Sequence, residues 1–290
     1  MPVRTPFMRT PLNWFPLLLL LGICVQAKPA RAQALLPYTL PLDEERLQAD
    51  GLSLASDAAQ LAQFQQYDEA LARAQLAAQL APNEPDVLSL LGSLYLQLGQ
   101  TEPAIAVLER AKRLDADNPL VWFALGSAYF GETKYLRAAE SLEKGLELEP
   151  ENPGARFDLG NAYYRLKRYP QAIEQYETAV DYDDSFWPAV NNIGLVLYEM
   201  GDTAGAIAKW RESLLISDSE SEPQLAIAVA LYSQGNQTAE AVSTATEALE
   251  RDSRYADLEF LEENLWGDRL LNATQQFFET PALRDLLVQL

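Results

Sequence analysis

The chain has no histidine and a single cysteine, Cys24, among its 290 residues. Histidine is the usual general base near neutral pH and the commonest metal ligand. Its absence removes Ser-His-Asp and Cys-His catalysis, His/Cys zinc sites and haem ligation through either residue, and one cysteine cannot form an intrachain disulfide. The remaining candidates for chemistry are carboxylates, which make 42 acidic residues against 22 basic ones. Asp181, Asp183 and Asp184, and the run from Asp218 to Glu222, could offer oxygen to Ca²⁺ or Mn²⁺. Neither has EF-hand spacing, so both read as solvated loops, with carboxylate-based metal binding or delivery as an alternative function. No catalytic residue, cofactor or small-molecule substrate is expected, because no recognisable site accompanies the carboxylates. The net charge of −20 argues against a nucleic-acid partner and against adhesion of the body to an anionic membrane. Arg165, Lys167 and Arg168 cluster on one turn, with Arg156 close by. They could dock an acidic partner but are read as a solvated edge. What does suggest recognition is a row of aromatics, Phe130, Tyr164, Tyr198 and Tyr232, recurring at one fixed interval.

Residues 1–32 have the order of an export signal. Arg4 and Arg9 form a positive start, Leu12 to Ala27 an apolar run, and Ala30-Arg31-Ala32 a small-residue cleavage site before Gln33. A lipoprotein signal fits poorly because Ile23 precedes Cys24, and no paired arginines mark a twin-arginine signal. An uncleaved membrane anchor is the rival, although Pro16 interrupts a run shorter than the roughly 20 residues that span a bilayer. The expectation is an exported protein of a bacterial periplasm or a thylakoid lumen.

The aromatic row must be carried by repeated elements. Gly92, Gly126, Gly160 and Gly194 keep the same interval as the aromatics, with Ala58 and Ala228 extending the ladder. In fixed phase run Ala70, Ala104, Ala138, Ala172 and Ala206 (Ala241 one residue late), then Ala77, Ala111, Gly145, Ala179 and Ser213. A ladder of large residues reads Leu61, Tyr95, Tyr129, Tyr163, Leu197 and Leu231. Apolar residues at intervals of three and four, as in Leu88, Leu91, Tyr95 and Leu98, indicate helices. Each unit is therefore two short helices around a turn. Gly99, Gly201 and Gly235 suit the turns, and Pro82 and Pro150 fall where second helices should stop. Small residues allow close helix crossings. Phosphate-cradling loops are excluded because the glycines sit inside helical patterns.

This pattern resembles the tetratricopeptide repeat family across about residues 51–255. Residues 119–152 supply Trp122, Leu125, Gly126, Tyr129, Ala138, Leu142, Gly145 and Pro150 at the family's places. Residues 85–118 supply Leu88, Leu91, Gly92, Tyr95, Ala104, Leu108 and Ala111, with Ala116 in place of the proline. Residues 153–186 and 187–220 fit with Asp184 and Asp218 there, and Arg156 replaces one large apolar residue. The units at 51–84 and 221–255 are degenerate ends.

The resemblance implies an all-α, right-handed superhelical solenoid of about six repeats whose first helices line a concave groove for a protein or peptide partner. The groove places implied are Phe123 and Phe130, then Phe157, Asn161 and Tyr164, then Asn191 and Tyr198, and finally Tyr232. The rings either hold a peptide or fill gaps between helices; we read them as binding residues, with Phe157, Tyr164 and Tyr198 holding the partner and the asparagines bonding its backbone. Asn161 and Asn192 match two places of the clamp that binds chaperone tails, but Phe157, Glu222 and Ala226 stand where its basic residues belong, so that partner is not expected. The resemblance and the export signal together suggest a scaffold assisting assembly of a membrane complex. Residues 33–50 read as a linker, extended from Gln33 to Glu45 around Pro37 and Pro41. Residues 256–290 read as a helical cap over the last repeat, with helices opening at Asp268 and at Thr280-Pro281 and with Trp266, Phe277 and Phe278 packing. Asn236 and Asn272 begin glycosylation sequons, meaningful only in a eukaryotic secretory route.

Overall fold

A computed structural model describes residues 43–235 and 238–289. The expected export signal, the linker up to residue 42 and the first sequon's Asn236 lie outside the described residues. No helix among the described residues is long and apolar enough to cross a membrane.

Twelve helices form six antiparallel pairs. These are α1 (Glu44–Gln63) with α2 (Tyr67–Leu80), α3 (Pro85–Gln97) with α4 (Thr101–Leu114), and α5 (Pro119–Gly131) with α6 (Tyr135–Leu148). Then come α7 (Pro153–Arg165) with α8 (Tyr169–Tyr182), α9 (Trp187–Met200) with α10 (Thr203–Ile216), and α11 (Ser221–Ser233) with α12 (Thr238–Arg251). A 3-10 turn at Ser253–Ala256 leads to α13 (Leu258–Glu263), α14 (Asp268–Phe278) and α15 (Pro281–Leu287). Each helix packs on the next in chain order, and the first helices α1, α3, α5 and α7 also touch in series. The all-helical repeat architecture is as the ladders indicate.

Local chemistry sets the boundaries. Asn118 and Asn152 cap α5 and α7 by accepting from the amides of Leu120 (3.0 Å) and Ala155 (2.9 Å). Pro119 and Pro153 follow at the first helical position, where no amide hydrogen is needed. The turn inside each repeat needs one left-handed residue, at Gln65, Gly99, Thr133, Lys167, Gly201 and Gly235 in turn. Three of these six are the turn glycines anticipated; Gln65, Thr133 and Lys167 adopt the same conformation without glycine's freedom.

Inside each repeat the glycine ladder receives a large side chain from the second helix. A Cβ on Gly92 would lie 2.5 Å from Leu108 Cγ, on Gly126 2.5 Å from Leu142 Cγ, and on Gly160 2.5 Å from Tyr176 Cε1. Gly194 faces the Trp210 indole in the same way. The alanine ladder from Ala70 to Ala241 is fully buried. Between repeats a second periodic contact appears. Gln75 Nε2 donates to Tyr95 Oη (3.1 Å), Tyr129 Oη donates to Glu109 (2.7 Å) and Tyr163 Oη to Glu143 (2.6 Å). Burial first, and then these carboxylates, push Tyr129 and Tyr163 up to about 12.

The linker boundary requires correction. Helix α1 begins at Glu44, well before Gly51, capped by Asp43 accepting from Arg46 N at 3.1 Å. Gly51 does not open the helix. It lies within it, where an added Cβ would come 2.8 Å from Ala81 Cβ and 3.1 Å from Ala77 O.

Candidate partner-binding groove

The same register place can be followed along the first helices. Ser93 on α3 and Ser127 on α5 are exposed, Asn161 on α7 is half-buried, and Leu195 on α9 and Val229 on α11 are buried at 1% and 0%. The implied groove therefore closes along its length. The cover is the chain's own C-terminal segment, which packs on the first helices α9 and α11 as well as on the end of the array.

Leu261, Leu265, Trp266, Leu270, Phe277, Phe278 and Leu283 are all buried. Removing each such side chain from water favours the folded state by about 1.5–3 kcal/mol. Polar contacts set the register. The Glu199 carboxylate, on α9, accepts from the amides of Arg269 (3.2 Å) and Leu270 (3.0 Å). It thereby caps α14, whose own cap residue Gly267 has no side chain to do so. Gly267 is also a close crossing point, since a Cβ there would lie 2.6 Å from both Glu199 Cγ and Tyr164 Oη. Arg269 donates to the Tyr198 carbonyl at 2.7 Å and sits 4.7 Å from that ring's centre. Trp266 Nε1 donates to the buried Glu222 carboxylate at 3.0 Å.

The anticipated site residues divide accordingly. Tyr164 and Tyr198 are buried beneath this cover, and Tyr232 stacks on Phe277 with centroids 4.5 Å apart. Asn191 is 1% exposed, donates to Asn192 Oδ1 (3.2 Å) and leaves its own Oδ1 without a partner, as Tyr164 Oη and Arg165 Nε are left. Phe157 packs against Tyr176 (5.7 Å) and edge-on to Phe186 (5.4 Å), while Phe123 lies over Gly145. Phe130 and Asn161 line an open crevice with Gly126, Ser127, Leu142 and Asp158. The reading that Phe157, Tyr164 and Tyr198 together hold a partner is thus corrected: in this structure Tyr164 and Tyr198 serve the chain's own cover. The cap lies over three repeats instead of only the last.

The basic turn is also used internally. Arg165 Nη2 donates to the Glu262 carbonyl at 2.6 Å, and Lys167 lies 3.9 Å from Asp268. Thr274 of the second sequon is fully buried and bonds the Leu270 carbonyl, so this sequon sits inside a packed helix. Residues that the sequence reading missed are Glu199, Asp158 and the Glu222–Trp266 pair. Burial pushes Glu222 up to about 7 and Asp158 up to about 6, each opposed by its hydrogen bonds. Their sequence signal was faint: Asp158 is an acid where the neighbouring repeats carry Ala124 and Asn192, and Glu199 and Glu222 stand at places that hold no fixed residue type.

Two family models, both described as tetratricopeptide repeat, match residues 61–127 and 123–190. Residues 61–190 are thus tetratricopeptide repeats, and the all-helical solenoid of the described residues is of that family's kind. Solved structures share the fold. MamA is 25% identical, with a TM-score of 0.51 over 57% of this chain and 96% of that one. YrrB, described as "a TPR protein with an unusual peptide-binding site", is 19% identical, with a TM-score of 0.54 over 66% and 95%. PilF of Pseudomonas aeruginosa is 16% identical, with a TM-score of 0.61 over 77% and 98%. No curated protein sequence matches the chain.

Proposed function

We propose that the protein is an exported scaffold that holds a segment of another protein along the open half of its first-helix face, from α1 to α7. The observation that carries this reading is the change in exposure along the face. Leu120 is 61% and Leu52 44% exposed, whereas the equivalent Glu222 is 8% exposed beneath the cover. An apolar surface left in water on one half of a face, beside a closed half, is where a partner gains most by burial. Export is supported by the order of residues 1–32, and a role in assembling a membrane complex by the combination of that signal with a binding fold. Tetratricopeptide repeats hold proteins and are generally non-enzymatic, which agrees with a sequence that has no histidine.

Affinity capture with the full chain from its native membrane fraction tests this. Phe130→Ala should weaken capture of the partner about thirtyfold, as truncating a central aromatic contact does. Tyr182→Ala, exposed at the end of a second helix, should leave capture unchanged. Equal capture by wild type and Phe130→Ala, with loss in Tyr182→Ala, would place the partner on the other face. N-terminal sequencing of the native protein should begin near Gln33; finding Met1 on membrane-bound protein would establish an anchor instead.

A further inference from the structure

The crevice between α5 and α7 contains a carboxylate that the fold does not use. Asp158 is half-buried and receives one hydrogen bond, from Ser127 Oγ at 3.2 Å. It belongs to none of the ion pairs among the described residues. The equivalent places in the other repeats are Ser56, Leu90, Ala124, Asn192 and Ala226, so the repeat does not require an acid there. A partly desolvated carboxylate with one neutral donor is costly unless something else completes it.

The walls around it fit one kind of side chain. Phe130 offers a ring on which a cation is favoured, and Leu142 an apolar floor for an aliphatic stem. Asn161 stands beside Asp158 with its amide oriented. Its Oδ1 accepts from Tyr176 Oη (2.8 Å) and Asn192 Nδ2 (3.0 Å), and its Nδ2 is in no hydrogen bond among the described residues. That amide can donate to a peptide carbonyl.

We infer that this crevice is a specificity pocket for a lysine or arginine side chain of the segment held in the open groove, with Asp158 as its counter-ion and Asn161 as the donor to the adjoining backbone. The inference rests on the groove reading above and names the chemistry that groove selects.

The test uses the full chain and bead-displayed random octapeptides as the probe. Wild-type protein should select peptides with a basic residue recurring at one position. The selected peptide should bind Asp158→Asn about thirtyfold more weakly, while Asp181→Asn, the same charge change on the exposed end of the second helix α8, binds it unchanged. Asp158→Lys should turn the selection toward aspartate or glutamate at that position. Helicity of each variant is checked alongside, and the wild-type selection stands whether or not a variant folds. Selected peptides that need Phe130 but show no recurring basic residue overturn the pocket and leave the groove intact. Equal weakening in Asp158→Asn and Asp181→Asn also overturns it, since general attraction to an acidic protein then suffices. A library yielding nothing sensitive to Phe130→Ala overturns both readings.

Discussion

Gly126 and Leu142 show how much one missing methyl group decides. The leucine occupies the place where a Cβ would stand, so Gly126→Ala forces the side chain or the helix to move. Such overpacking costs about 1–3 kcal/mol, which thermal unfolding will register as a lowered midpoint. The left-handed turn positions give the opposite sign. Thr133 holds φ 54° with a branched Cβ and is exposed. Thr133→Gly should therefore raise stability, by up to about 1 kcal/mol; a fall would mean that its side chain contributes more than the backbone relief. Glu222 supplies a pH dependence. Burial raises its proton affinity only in the folded chain, so the folded state keeps a proton that the unfolded state releases. The stability this provides is whole below the ordinary carboxylate range and is lost as pH rises through about 7. Between about pH 5 and 8, Glu222→Gln should lose less stability than wild type in denaturant titrations.

Helices α9 and α14 make the argument at the scale of elements. Neither the end of α9 nor the start of α14 is self-sufficient: Glu199 supplies the cap that Gly267 lacks, and Arg269 returns a hydrogen bond to the Tyr198 carbonyl. Glu199→Ala should cost about 1–2 kcal/mol, because two amides at a helix start lose a charged acceptor. Hydrogen exchange should localise the change to residues 268–278, leaving α3 to α6 unaltered. This contact explains what the sequence did and did not reveal. Pairing within a repeat is local and returns once per repeat, so Gly126 and Leu142, or Ala172 and its ladder, announce themselves. Glu199 and Leu270 are 71 residues apart and meet once, without period or motif. The helices at Asp268 and Pro281 were legible from their start signals, and the packing of Trp266 and Phe277 from their size. Their landing place was not. The same holds for Asp158, which belongs to no ladder and acquires meaning only beside Phe130 and Asn161.

At the scale of the whole described solenoid, one face is divided into a closed half and an open half. The closed half uses three of the aromatic residues that the repeat pattern marks for binding, Tyr164, Tyr198 and Tyr232, to seat the chain's own terminal helices. The open half leaves Phe130 and Asn161 half-buried in the walls of its crevice. Thiol labelling measures this division directly. With Cys24 replaced by serine, a single cysteine is placed at one register position in three repeats, as Ser93→Cys, Ser127→Cys and Val229→Cys. Ser93→Cys and Ser127→Cys should react at the rate of an exposed thiol. Val229→Cys should react only as fast as the terminal helices open, slower by about a hundredfold or more. Equal rates at all three positions would contradict the account, because the face would then be open along its whole length and the terminal helices would not be its cover.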